Sequence, residues 1–210
     1  MNDVAATDPP TDAAAIKRRL RREALARRDA VPETARIEAA IAIATHVDAL
    51  ETDMGAVVGA YWPIRSEVDP RPLLFALHER GCRMALPAMT GERMAFRELT
   101  RTSDLVPSGF GTHAPAEGAP ELVPGLILMP LAAFDARGNR IGYGRGHYDR
   151  AVAALHAAGH TPRLIGLALD VQEVDAVPAE PHDMPLDGVL LPGGLRATAG
   201  VTAEANNRTR

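Results

Sequence analysis

"GLILMPLAAFDARGNRIGYGRGHYDRAVAALHAAG", residues 125–159, carries a strand, a glycine-rich turn and a helix in one run. GLILMPLAAF is short and almost wholly apolar, the mark of a strand buried on both faces and so of a parallel sheet. YDRAVAALHAAG spaces its apolar residues as a helix does and stops at Gly159. In between, GYGRGHYD places Gly142, Gly144 and Gly146 at alternate positions. If that segment is extended, the glycines bare one face of main chain, while Tyr143, Arg145 and His147 project to the other. The helix behind it offers the positive end of its dipole, so a phosphate-bearing ligand suits the arrangement. A flexible glycine loop is the plainer alternative. The spacing matches neither the P-loop nor the dinucleotide fingerprint.

Working outward, the same alternation recurs. The spacing predicts a helix from Asp12 to about Asp29, ended by Pro32, and a second over ETARIEAAIAIATHVDALE. AVVGAYW reads as a buried strand, PRPLLFALHERG as a helix stopped by Gly81, and CRMALP and MAFREL as strands. Residues 106–125, dense in Gly and Pro, read as a long loop. RLIGLAL and GVLL complete the strands. The expectation is an α/β fold: one three-layer α/β/α domain with a mainly parallel sheet, over residues 13–195. Residues 1–12 and 196–210 are expected to be flexible tails. In such sheets ligands sit at the carboxyl ends of strands, where the glycine segment lies.

The chain has 210 residues, 46% of them hydrophobic, and a formal charge of −4, which argues against a surface built for nucleic acid. No apolar run could span a bilayer, and the acidic start is no export signal. A lone cysteine, Cys82, in an apolar pattern, reads as a buried thiol; a cytoplasmic location follows as the expectation. Of 23 basic residues only Lys17 is lysine, which hints at a point contact with phosphate that a planar guanidinium would serve less well.

The candidate site residues each have a plain alternative. Lys17 and Arg21 share a helix face and could meet one anion, or be part of a solvated basic stripe. Asp149 could cap its helix, or hold Mg²⁺ beside a phosphate; Asp183, in PHDMP, is a second acid for that ion or a turn residue. In YWPIRSEVDPRPL, Asp69 reads as the start of the next helix, leaving Glu67 and Trp62 for a heterocycle with amide-like N–H groups.

"PLAAFDARGNRIGYGRGHYDR", residues 130–150, closely resembles the signature of the 5-formyltetrahydrofolate cyclo-ligase family. IKRRLR, YWPIRSEVD, RLIGLALDVQEV and HDMPLDGVL extend the resemblance over residues 16–192. It implies an ATP- and Mg²⁺-dependent conversion of 5-formyltetrahydrofolate to 5,10-methenyltetrahydrofolate, ADP and phosphate, on a three-layer fold. The formyl oxygen would attack the γ-phosphate, N10 would close the ring, and phosphate would leave. The resemblance places Lys17, Arg21 and the segment Arg140, Ile141, Gly142, Tyr143, Gly144, Arg145, Gly146, His147 and Tyr148 at ATP. It places Arg145 near the transferred group, Asp149 and Asp183 on Mg²⁺, and Trp62 and Glu67 on the folate. His147 stands where the family usually has tyrosine, and Ala114 where it commonly has an acid, whose role Glu117 could take over. The expected partners are 5-formyltetrahydrofolate and ATP, with no nucleic acid and no membrane, and the expected state is a monomer. Two other readings stand beside it: a non-catalytic RNA- or nucleotide-binding module using the basic first helix, and a sugar-phosphate isomerase of similar architecture.

Overall fold

The structure, a computed structural model, describes residues 13–91, 93–109 and 111–198. In chain order the elements are α1 (Ala13–Asp29), α2 (Glu33–Thr45), a 3₁₀ turn (Val47–Leu50), β1 (Val57–Gly59), α3 (Arg71–Glu79), β2 (Arg83–Thr90) and β3 (Arg93–Leu99). β4 (Leu105–Pro107), β5 (His113–Pro115), β6 (Glu121–Leu122), β7 (Leu126–Pro130), β8 (Ala133–Phe134) and β9 (Arg140–Ile141) follow. α4 (His147–Ala157), β10 (Arg163–Leu167), a second 3₁₀ turn (Asp170–Gln172), β11 (Gly188–Leu191) and β12 (Gly194–Ala197) complete the chain. The helix cap expected at Asp12 lies outside the described residues.

The main sheet runs β12-β11-β10-β7-β1-β2-β3-β6. Its five central strands are parallel; β12 and β3 flank them antiparallel, and β6 pairs antiparallel with β3 at the edge. β7 shows why: Leu126 and Leu128 point to one face, Ile127 and Met129 to the other, and all four are buried. The first face packs on Ile43 of α2 and on Leu73, Leu74 and Leu77 of α3. The second packs on Val152 of α4. A sheet covered on both faces by helices is the three-layer α/β domain expected from continuous apolar strands. Helix α1 stands apart, with Ala24 against Ala132, Ala133, Ile141 and Val177, over the end of β7 where the glycine segment departs.

Three local expectations change. Residues 106–125 are not all loop: β4 pairs with β5, and β6 pairs with β3. Strands of two or three residues are too short to show an alternation, so the Gly and Pro between them dominate the pattern. GLILMPLAAF is not one strand either. It breaks after Pro130, because the carbonyls of Leu131 and Ala132 accept from the Gln172 side chain, and that of Leu131 also from Arg28. Finally, residues 196 and 197, expected in the tail, pair with β11, and Arg196 reaches Glu173 and Asp170 at 2.7 and 2.9 Å.

The turn between β8 and β9 is organised by Asp135, 1% exposed. Its carboxylate accepts from the amides of Arg137 (2.9 Å), Asn139 (3.0 Å) and Val177 (2.9 Å). Burial alone would raise the carboxyl; donation from Val177, Asn139 and Arg137 outweighs it and leaves the group below its ordinary value. The lowered group stabilises the fold above its unfolded-state value, and that contribution is lost as pH falls through the folded one. Asp135→Asn turns an acceptor into a donor against the Val177 amide and should cost about 2 kcal/mol at pH 7 by urea unfolding. The difference from wild type should shrink in acid; an equal difference at both ends would refute the ionised-acceptor account.

Candidate functional site

After β9 the chain does not stay extended. Gly144 and Gly146 take positive φ, +89° and +63°, and Gly146 sits at the N-cap of α4. The glycines therefore supply left-handed turns as well as bare backbone; a Cβ on Gly144 would also crowd the Arg21 guanidinium at 3.3–3.5 Å. The bent ribbon divides two concavities. On one side lies a cleft of ≈ 480 Å³, on the other a pocket of ≈ 200 Å³, and Pro130, Tyr143 and Tyr148 line both.

The cleft gathers Lys17, Arg21, Arg140, Ile141, Gly142, Tyr143, Gly144, Gly146, Tyr148, Asp149 and Asp183. Its cations and acids are cross-paired. Lys17 Nζ donates to Asp183 Oδ2 (2.6 Å) and Glu180 Oε2 (2.7 Å). Arg140 donates to Asp149 Oδ1 (2.7 Å) and to the Met184 carbonyl, and the Met184 amide meets the same Asp149 oxygen at 3.2 Å. Asp149 thus turns from its own helix end to a neighbouring loop, and it makes no capping bond. Burial opposes charge at both Lys17 and Asp183, but their bonding outweighs it: Lys17 is raised, Asp183 lowered, and each stays ionised. Among the described residues one cluster of three potential metal ligands occurs, Glu180, His182 and Asp183. Arg21 Nε donates to the Gly142 carbonyl at 2.6 Å and braces the ribbon.

The pocket is lined by Trp62, Ile64, Glu67, Pro87, Met89 and Met94 among others, with Arg145 and His147 from the ribbon. The Trp62 ring lies edge-on to His113, centroids 5.9 Å apart, and Arg71 stands 5.5 Å from its centre. Glu67 is buried, accepting from the Ile64 amide (2.9 Å) and bonding to the Tyr143 hydroxyl. Burial pushes its carboxyl above the ordinary range, and the Ile64 amide, Arg28 and Tyr143 reverse only part of that. An acid of raised pKa beside a flat aromatic, one wall away from a charged cleft, has the chemistry that a polar heterocycle would need.

The sequence model of the 5-formyltetrahydrofolate cyclo-ligase family matches residues 13–192. The chain belongs to that family. It is 34% identical over 188 residues to the 5-formyltetrahydrofolate cyclo-ligase of Mycolicibacterium smegmatis, covering 84% of this chain and 93% of the relative. With the Escherichia coli K12 cyclo-ligase it shares 30% over 146 residues, 66% of this chain and 79% of that one. The fold is similar to the NMR structure of Aquifex aeolicus 5,10-methenyltetrahydrofolate synthetase, with a TM-score of 0.69 at 24% identity, covering 88% of this chain and 93% of the other. The chain is accordingly a ligase-family enzyme, as the resemblance of residues 130–150 implied.

Within this cyclo-ligase framework the structure sorts the expected residues. Arg145 and His147, expected at the nucleotide, line the Trp62 pocket and not the 480 Å³ cleft, because the turns at Gly144 and Gly146 carry them across the ribbon. His147 Nδ1 lies 3.0 Å from Arg150 Nη2, and burial, with Arg150 and Arg145 nearby, holds the imidazole below its ordinary value and so neutral at pH 7. Ala114 is 2% exposed, paired with Val106, and lines neither concavity; Glu117 is exposed in the following turn. The first helix spends much of its charge internally. Arg27 donates to the Val171 carbonyl (2.7 Å), Lys17 and Arg21 serve the cleft, and Arg28 is buried.

Arg28 and Glu180 are residues whose place in the site the sequence did not reveal; Arg28 is the more central of the two. It is 1% exposed and donates to Ser66 Oγ (3.0 Å), the Leu131 carbonyl (3.3 Å) and the Tyr143 hydroxyl (3.0 Å), tying both walls of the site to α1. A signal existed: Leu20, Ala24 and Arg28 follow at intervals of four on the face that packs inward. Glu180 was missed because its helix partner, Lys17, is distant in sequence.

Because the folded-state carboxyl of Glu67 is raised, the penalty of its buried charge is felt above that folded value and vanishes as pH falls through it. Glu67→Gln should therefore raise the melting temperature at pH 8, and the gain should disappear below about pH 4. A lower melting temperature at pH 8 would mean that the carboxylate's bonds outweigh its burial.

Proposed function

We propose that this enzyme converts 5-formyltetrahydrofolate to 5,10-methenyltetrahydrofolate, using ATP and Mg²⁺ and releasing ADP and phosphate. The observation that carries the reading is the placement of the two concavities. A cleft rich in cations and acids and a pocket with an aromatic and an acid share the ribbon wall, so a phosphoryl group held on one side can reach an oxygen held on the other. Family membership supports the same substrate.

In this reading ATP phosphates lie over Gly142–Gly146, between Lys17, Arg21 and Arg140. As they arrive they compete with Asp183, Glu180 and Asp149 for the two cations now paired there. The released carboxylates are hard oxygen donors of the kind Mg²⁺ takes, so the residues fit that ion. When bound, Mg²⁺ supplies neutralisation of the triphosphate charge. The pterin stacks at Trp62, and Glu67 accepts from its N–H groups; Tyr143, held by Arg28, keeps Glu67 oriented. The formyl oxygen attacks the γ-phosphorus as the bond to ADP breaks, giving an iminium phosphate. N10 adds to the formyl carbon and gives up its proton, phosphate leaves that carbon carrying the proton, and the methenyl bridge remains. No protein nucleophile is required; alignment and charge stabilisation do the work. Arg145, on the pocket side of the ribbon, meets the charge growing between phosphate and formyl oxygen. The reading places the enzyme in the cytoplasm as a monomer. An isomerase of similar shape would need no nucleotide.

Purified enzyme with Mg²⁺, ATP and 5-formyltetrahydrofolate should produce the methenyl chromophore, and omission of ATP should abolish it. Arg145→Ala and Asp149→Ala should each lower kcat by about 100-fold or more with the circular dichroism spectrum unchanged. Wild-type rates in both variants would overturn the site assignment, and absence of product from the wild type would overturn the function.

A further inference from the structure

A groove of ≈ 550 Å³ runs between the sheet edge and α4, outside both concavities described above. Its floor is apolar: Met94, Phe96 and Leu122 from the sheet face Ala151, Ala154 and Leu155 of the helix. It stays open for two reasons. β6 is only two residues long, and α4 presents alanines where larger side chains would fill the space. Val123 is left 48% exposed beside it. Along the rim stand Arg93, Glu121, Arg150, His147 and His160.

The groove adjoins the Trp62 pocket at Met94 and His147, which line both. Size makes that contact meaningful. At ≈ 200 Å³ the pocket is smaller than the about 300 Å³ at which sites for drug-sized ligands begin. A reduced pterin can enter it, but the aryl and glutamyl parts of a folate must leave it. The groove offers what that arm needs: an apolar trough for a benzoyl ring, then guanidinium groups for carboxylates. Helix α4 begins beside it at His147.

We infer that this groove seats the p-aminobenzoyl-glutamate arm of the substrate, with its carboxylates read by Arg93 and Arg150. The inference rests on the reading of the Trp62 pocket as the pterin site. Arg93 now donates to Glu121 at 2.8 and 2.9 Å, an exposed pair of small energetic worth, so a substrate carboxylate can take over the guanidinium. Among the described rim residues, Glu121 is then the acid that opposes the arm. Arg150 donates to the Arg145 carbonyl and meets His147 Nδ1, so it links arm to ribbon and is unsuited to a clean substitution.

The experiment compares 5-formyltetrahydrofolate with 5-formyltetrahydropteroate, which lacks the glutamate, in wild type and three variants at exposed groove positions. Ala154→Phe, which fills the trough, should raise KM for both substrates, since both carry the aryl ring. Arg93→Gln should raise KM for the glutamyl substrate alone by about tenfold, and Glu121→Gln should lower it. Both charge variants should leave kcat, and the KM of the pteroate, unchanged. Turnover of both substrates by the wild type, with no variant separating them, would overturn the inference alone. Absence of methenyl product from either substrate in the wild type would overturn the functional reading, and the inference with it.

Discussion

The site depends on one buried guanidinium. Arg28 leaves α1 and enters a space enclosed by the end of β7, the Ser66–Glu67 loop and the glycine ribbon. A buried cation must be bonded on every side or the fold bears its desolvation. Here each bond fixes a different segment: Leu131 at the end of the central strand, Ser66 next to Glu67, and Tyr143 within the ribbon. Ser66 in turn donates to Asp29, the last residue of α1, which supplies a carboxylate one bond removed from the guanidinium. Helix α1 contributes little to the main core. It acts as a clamp whose single buried charge sets the distance between pocket and cleft.

Around that clamp the charged groups neutralise one another. Lys17 lies against Asp183 and Glu180, and Arg140 against Asp149, so cations suited to phosphate and acids suited to a metal are held together without either ligand. This keeps strongly charged groups stable in a half-buried cleft. In the proposed reaction, anion and cation would bind by exchange of partners, each releasing what the other needs. On the far side of the ribbon burial raises the Glu67 carboxyl, and the Ile64 amide, Arg28 and the Tyr143 hydroxyl offset only part of that, whereas at Asp183 the bonds led by Lys17 outweigh burial and lower it.

Much of this was legible in the chain. Alternating apolar strands and helices gave the layers, and the run from Pro130 to Arg150 gave the family. What was not legible involved either very short elements, such as β6 and β12, or contacts between distant residues. Lys17 and Glu180 are 163 positions apart, and no local pattern links them. The family resemblance, not the backbone pattern, puts Arg145 and His147 at the nucleotide, whereas in the fold both line the Trp62 pocket. Two positive φ angles turn them that way.

By itself the sequence determined the fold class, the family and the set of polar groups, because periodicity and a long motif are properties of neighbours along the chain. Only the tertiary structure decided which wall each group faces, which acid each cation meets, and that Arg28 holds them in place. Those outcomes depend on burial and on bonds made across the fold, and a side chain's environment is fixed only when distant segments have closed around it.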